Sequence, residues 1–331
     1  ATARAALRPV RKALDGSRED IRRGLRSGAA TGIGSVVYAL TRCAGLLQDD
    51  GMLTSAASAA YCINDEYVAA SELDVFAGVA GDILGLLALH RVTGDADVLA
   101  RARWCGDRLL ETARPATTGG RAWPTLGGRM LTGFSHGAAG IAYALARLGE
   151  ATGTTSYLDA ALDGVRYEDA VLDSDAGNWP DFREDEQPAF KVNWCHGAPG
   201  IGLARLATWR SLAGKDAAAE SLLLADVDRA VRTTLADDLE GADHLCCGNL
   251  GRAELLLSAG CVLGRDDLLA EARSKAESVV ARAATQGGFQ LHSSLPNRVH
   301  MPGFFMGVSG VGYALLRTAH PDLLPAVLAW D

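Results

Sequence analysis

The stretch "GFSHGAAGIAYALARLG", residues 133–149, decides the fold. Two glycines stand in a G-x-x-G spacing, and an apolar, helix-forming run follows at once. Five more stretches repeat the pattern: "ATGIGS" (30–35), "FAGVAG" (76–81), "CHGAPG" (195–200), "CCGNLG" (246–251) and "FMGVSG" (305–310). The first has Ser35 in place of the second glycine. Each leads into helical text, such as "VVYALTR", "DILGLLALHR" or "VGYALLRTA". Neighbouring motifs lie about 45 to 60 residues apart, the range of a helical-pair repeat.

The segments between the motifs also read as helices. "DVLARARWCGDRLLETA" and "DDLLAEARSKAESVVARAA" carry apolar residues at i, i+3, i+4 and i+7. No stretch alternates convincingly as a strand. Each unit therefore reads as two helices, one entered through the glycine turn and one outside it. The glycines are expected to supply positive φ or close backbone approach. Pro199 falls where a first helical residue accepts it. The expected fold is all-α, with roughly six to seven helical pairs closing into an α/α toroid; an open solenoid is the alternative. "DSDAGNWPDFREDEQPAFK", ending at Lys191, and "LHSSLPNRVHMP", ending at Pro302, read as long surface loops bordering a site.

The chain of 331 residues is 48% apolar and 22% charged, ordinary for a globular protein. We read residues 1–331 as a single domain. A net charge of -8 with no basic block argues against a nucleic-acid partner. No apolar run is long enough to span a membrane, and no signal peptide is apparent. The opening "ATARAALRPVRKAL" reads as the interior of something longer, so an N-terminally truncated fragment is expected. Of the seven cysteines, Cys43, Cys62, Cys105 and Cys261 lie in apolar helical text and are expected in the core. The other three cluster on glycine turns. That pattern fits a reducing, cytoplasmic setting with a metal or reactive site, not a disulfide framework.

Aligning the motifs on their first glycine puts the chemistry in register. One position before it stand Thr31, Ala77, His136, His196, Cys247 and Met306; two before it stand Ala30, Phe76, Ser135, Cys195, Cys246 and Phe305. Parallel helices would bring Cys195, Cys246 and Cys247 to one face. Three thiolates suit zinc, with His196 or His244 adjacent to close the fourth position. Three buried structural cysteines are the competing reading, and spacing alone does not separate the two. A cysteine at a helix N-terminus is the easier thiolate, because the dipole favours negative charge. His136 shares the register of the metal candidates, which makes it an acid/base candidate as well as a structural one. Asp74 lies four residues before its glycine and is either a helix cap or a site residue.

"NWCHGAPGIGLARL", "LCCGNLG", "GFSHGAAGIAYALARLG", "GNWPDFR" and the ending "MGVSGVGYALLRTAHPDLLPAVLAWD" together resemble the LanC-like cyclase domain of class II lanthipeptide synthetases, the LanM enzymes, of the Cys-Cys-Gly type. The likeness covers nearly the whole chain. It implies an α/α toroid with one helical pair more than the visible motifs, and a dehydratase domain upstream in the same synthetase. It implies addition of peptide cysteine thiols to dehydroalanine or dehydrobutyrine, giving lanthionine or methyllanthionine rings on a dehydrated precursor peptide. It carries zinc ligation onto Cys195, Cys246 and Cys247, the last standing where most relatives have His. It matches His136 to the family's acid/base histidine and Asp74 to its partner. Lys191 is the nearest match to a basic residue before the W-C motif, and His196, directly after that cysteine, has a less settled role.

The chemistry of the residues agrees. A free thiol is mostly protonated at neutral pH, and zinc lowers its pKa. Three protein thiolates leave the site anionic, so a fourth sulfur stays nucleophilic. A proton must then reach the α-carbon, which suits His136. Two rivals stand beside this reading. One is a non-catalytic LanC-like zinc module holding glutathione or a peptide. The other is a different toroid enzyme, prenyltransferase-like or a carboxylate-pair glycosidase, although the turns supply mainly Cys and His.

Overall fold

The computed structural model describes residues 2–183, 189–238, 240–292 and 299–331. Parts of both expected long loops, 184–188 and 293–298, lie outside the described residues. The helices are α1 (Thr2–Ala13), α2 (Arg18–Gly24), α3 (Ile33–Leu47), α4 (Gly51–Ala60), α5 (Asp65–Ala70), α6 (Val79–Thr93), α7 (Ala96–Thr112), α8 (Ala138–Thr152), α9 (Thr155–Ala170), α10 (Ala198–Leu212), α11 (Ala217–Ala236), α12 (Asn249–Leu263), α13 (Asp266–Gln286) and α14 (Val308–Ala319). Among the described residues, β structure is confined to a two-residue antiparallel ribbon, Arg114–Pro115 against Arg121–Ala122, and isolated bridges such as Asp181 with Ala189. No helix among the described residues is long and apolar enough to cross a membrane.

The chain divides into two compact units. One is Ala1–Leu131 with His136–Tyr167 and Trp330; the other is Thr132–Ser135 with Glu168–Ala329 and Asp331. Helices α6, α8, α10 and α12, each entered through a glycine turn, are buried nearly all round: α10 buries Ala198 through Leu206 without a break, and α12 buries Asn249–Gly251 and Ala253–Gly260. The first and last of the glycine-turn helices, α3 and α14, bury only one face. The helices that follow α10 and α12 are amphipathic. α11 buries Leu223, Val227, Ala230, Val231 and Thr234, and α13 buries Leu268, Ala272, Ala276, Val279 and Ala283, each a single stripe at helical spacing. α10 packs on α11 and α12, α12 on α13, and in the other unit α6 packs on α3, α7 and α8.

Capping follows the same division at α7 and α11, though not at α13, which opens on Arg265 without a side-chain capping bond. α7 and α11 open on Asp95 and Asp216, whose carboxylates accept backbone N–H bonds from the first turn. The helices behind the glycine turns have glycine at the cap and no side-chain capping bond. In the first unit Asp82 of α6 compensates from outside, accepting from Gly28 N at 3.0 Å, Gly34 N at 2.9 Å and Tyr67 Oη at 3.1 Å. Trp330 donates from Nε1 to the Ala29 carbonyl at 3.1 Å and packs edge-on against Tyr38, fastening the chain's end to the first turn.

Two expectations need correction. Cys62 and Cys105 are core residues, but Cys43 is only partly buried and Cys261 is exposed. Burial along α12 ends at Gly260, so its last turn emerges into solvent with Cys261 on it. Nor is positive φ what the motif glycines provide. Gly78, Gly137, Gly248 and Gly307 have extended backbone, and of the first glycines only Gly197 is left-handed, at φ 102°.

Candidate metal centre

The second glycine, at Gly81, Gly200, Gly251 and Gly310, is needed for close approach. A Cβ on Gly251 would lie 1.9 Å from the Leu245 carbonyl, and one on Gly200 1.8 Å from that of Trp194. No real contact is that short, so each turn closes tightly on itself only with glycine there. The tight turns then bond to one another at one register position, two before the first glycine. In the first unit Ala30 N donates to Phe76 O at 3.2 Å. In the second, Ser135 N donates to Cys195 O at 3.1 Å, Cys195 N to Cys246 O at 3.3 Å, and Cys246 N to Phe305 O at 2.9 Å. This ladder turns a sequence alignment into a spatial one, and it is why Cys195 meets the Cys246–Cys247 pair.

Surrounding contacts hold the two turns in place. The Trp194 ring lies between Phe134 and Phe305, with centroids 5.4 and 5.5 Å away, and its Nε1 donates to Leu328 O at 3.0 Å. Arg252 of α12 donates to Val192 O at 2.7 Å and pairs with Asp237 at 2.9 Å. Deeper, Arg205 pairs with Glu168 at 2.9 Å and Asp226 at 2.8 Å, and Glu168 accepts from Gly133 N at 2.9 Å. That buried cluster fixes the "GFS" strand of chain that reaches Ser135.

The sulfurs of Cys195, Cys246 and Cys247 lie within 4.8 Å of one another, the group of metal-ligating atoms that stands out among the described residues. Cys247 Sγ is 3.1 Å from Cys195 Sγ and 3.4 Å from Cys246 Sγ. All three are free thiols, far longer apart than a disulfide. Thiolates around a tetrahedral zinc at ~2.3 Å would sit about 3.8 Å apart, so a small inward or outward adjustment accommodates the ion. The titration behaviour fits as well. Hydrogen bonds from Cys195 and Cys246 pull Cys247 down to about 3. Cys195 is pushed well up by its bonds to Cys246 and Cys247 and by burial. Cys246 is drawn down by Cys195 but, on balance, raised to about 12 by Cys247 and burial. The three thiols thus lose a first proton more readily than a second or third. A dication supplies what the second and third ionisations lack.

Neither candidate histidine joins the sulfurs. His196 is buried; its Nδ1 lies 3.3 Å from Thr132 O and 3.8 Å from Asp181, and its Nε2 lies 3.4 Å from Ser135 Oγ. His244 accepts from Cys247 N at Nδ1, 3.3 Å away, and burial lowers its pKa against the pull of Cys247 and Asp243. It orients the Cys247 backbone. Sequence reasoning missed Asp181 and Arg183, in the "PDFR" run. Asp181 is buried beside His196, and Arg183 grips it with Nη2 at 2.6 Å. Burial alone would raise the Asp181 pKa, but hydrogen bonds from Arg183 and the charges of His196 and Arg183 hold it below the usual range.

In the first unit His136 Nδ1 meets Asp74 Oδ2 at 2.8 Å. The carboxylate is almost fully buried, while the imidazole keeps 18% of its surface. Asp74 also accepts from Ala77 N at 2.7 Å through Oδ1, so it caps its turn and orients the histidine at once. Thr125 donates to His136 O at 2.7 Å, and the Phe76 ring packs 5.4 Å from the imidazole. Lys191 is exposed; its carbonyl accepts from Asn178 Nδ2 at 3.0 Å, and its ammonium makes no hydrogen bond or ion pair among the described residues.

Comparison with known proteins agrees with this geometry. Residues 2–329 match the family model described as lanthionine synthetase C-like protein. No curated protein matches the sequence significantly. Among solved structures, a nisin cyclase superposes with a TM-score of 0.63 at 15% identity, over 92% of this chain and 80% of that one. A sugar epimerase from a ruminal bacterium gives 0.58 at 13%, over 90% and 86%. A family 88 glycosyl hydrolase from Bacteroides vulgatus gives 0.58 at 13%, over 91% and 93%. These likenesses establish the α/α-toroid class of helical pairs and, at such identities, nothing finer.

Proposed function

Since the chain belongs to the lanthionine synthetase C-like family, we propose that it is a zinc-dependent peptide cyclase of the Cys-Cys-Gly type, forming lanthionine or methyllanthionine rings on a dehydrated precursor peptide. The observation that carries the reading is the meeting of Cys195, Cys246 and Cys247 on hydrogen-bonded glycine turns, with no histidine closing the group among the described residues. The likeness to a nisin cyclase supports a peptide substrate. It weighs against the epimerase and hydrolase likenesses because the sulfur cluster has no part in sugar chemistry.

Cys195, Cys246 and Cys247 would hold the zinc ion. When bound, zinc lowers the pKa of a thiol in its fourth position and keeps it as thiolate at neutral pH. The reaction forms a bond between the substrate sulfur and the β-carbon of the dehydroamino acid. The thiol gives up its proton to solvent as it becomes thiolate, the electron pair of the broken π-bond moves to the α-carbon and its carbonyl, and the α-carbon must then take one proton in return. His136 in its protonated form donates that proton. Asp74 fixes the ring's orientation through Nδ1. His196 acts by orientation: it ties Ser135, and through it the Cys195 turn, to Thr132. Lys191, exposed beside the W-C motif, would face the incoming peptide.

Incubation of the zinc-loaded protein with a dehydrated, cysteine-containing precursor peptide tests the proposal. Free thiols should disappear without a change in peptide mass, faster than in protein-free controls. Thiol loss at the uncatalysed rate would refute it.

A further inference from the structure

A cavity of about 390 Å³ lies where the C-terminal half of α11 meets the chain around Gly177 and the residue Val192, just ahead of the W-C motif. From α11 it takes Arg229, Arg232 and Thr233, at i, i+3 and i+4 and therefore on one face of the helix. Thr233 Oγ1 donates to the Gly177 carbonyl at 2.6 Å and ties the helix to that segment. The Val192 carbonyl accepts from Arg252 Nε at 2.7 Å. Val192 stands three residues before Cys195, so at most about 11 Å of backbone separates the cavity's edge from the sulfur cluster. Arg229 is half-buried and Arg232 exposed, and neither makes a hydrogen bond or ion pair among the described residues. Arg229 Nε is buried without an acceptor, a costly state for a charged donor. Asp237 also lines the cavity, but its carboxylate lies 2.9 Å from Arg252 Nη1, which matches its charge.

In a chain of net charge -8, the cavity thus holds two guanidinium groups that no carboxylate among the described residues pairs. Guanidinium forks match the planar geometry of a carboxylate, and two on one helix face can grip it from both sides. A phosphate offers the same acceptors with more charge, and Asp237 in the same cavity opposes a dianion more than a monoanion. We propose that Arg229 and Arg232 anchor a carboxylate side chain of the peptide substrate, an aspartate or glutamate a few residues from the reacting cysteine. The inference rests on the peptide-substrate reading above and deepens it.

Equilibrium dialysis with the zinc-loaded protein reads the anchor without turnover. The probes are N-acetylated, amidated peptides in which a cysteine and a glutamate are separated by about one to five glycines, in either order, each with its glutamine counterpart. At one spacing or more the glutamate peptide should bind about tenfold more tightly, the effect of a charge-assisted hydrogen bond at a partly exposed position. Arg229→Gln and Arg232→Gln should each remove most of that preference and leave the affinity of the glutamine peptide unchanged, which also shows that the variants fold. No glutamate preference at any spacing, or one that survives in both variants, would overturn the inference. Tighter binding of the phosphoserine counterpart would overturn it too, by making the site one for phosphate. Ring formation in the incubation above without glutamate preference would refute the anchor alone. A preference that the arginine variants lose, without ring formation, would refute the cyclase reading alone.

Discussion

Asp82→Asn should make the protein more resistant to alkaline destabilisation. Asp82 is wholly buried, and desolvation pushes its pKa up to about 7 despite hydrogen bonds from Gly28, Gly34 and Tyr67 that favour the charged form. In the unfolded chain the carboxyl returns to its ordinary value of 3.8. A carboxyl whose folded pKa is raised contributes its full stability below the unfolded pKa and loses it as pH rises through the folded one. Between pH 5 and 8 the unfolded state ionises freely while the folded state resists, and the difference amounts to about 2–3 kcal/mol. Asparagine keeps an oxygen for the Gly28 and Gly34 N–H groups and turns its amide toward Tyr67 Oη, with no charge to bury. Urea unfolding of both proteins at pH 5, 6, 7 and 8 should show the wild type losing about 2–3 kcal/mol more than the variant over that range. Parallel stability curves would mean that Asp82 is ionised in the folded protein without penalty, and the desolvation argument would fail.

The site yields further outcomes. Cys247→His should retain metal, since both residues ligate zinc, but slow cyclisation by making the site less anionic; metal content and thiol-loss rates check it. Alanine at Cys195 or Cys246 should weaken metal binding outright. His136→Ala should keep its zinc and lose on the order of 10²–10⁴ in ring-closure rate, the usual share of general acid catalysis; loss of zinc in that variant would reassign His136 as a ligand. Gly251→Ala places a Cβ 1.9 Å from the Leu245 carbonyl, so the turn bearing Cys246 and Cys247 must shift. A stability loss of about 1–3 kcal/mol and weaker metal binding should appear together in urea titration and metal competition.

The glycine turns made much of this legible in the sequence. Their fixed spacing put Ser135, Cys195, Cys246 and Phe305 at one register position, and the ladder of backbone bonds runs through those residues. The physical reason for the glycines was less legible: extended φ and contact with a carbonyl three residues before the first glycine are facts of three-dimensional closure. Asp74 was both of the things its position allowed, a cap and a partner of His136. Asp181 and Arg183 could not be read ahead, because a short loop run carries no periodicity to aim its side chains. The pairing D-x-R in "PDFR", directly before an acidic stretch, was the available signal. His196 shared the register of Cys247 but turns toward Thr132 and Ser135, a choice fixed by neighbours from a preceding turn.

The most direct test of the central claim is metal content combined with X-ray absorption at the zinc edge on the purified protein. The account predicts one zinc per chain, a first shell with three sulfurs from Cys195, Cys246 and Cys247, and a fourth, lighter ligand that is replaced by sulfur when a thiol is added. A protein that cyclises peptide without zinc, or a first shell with fewer than three sulfurs, would contradict it.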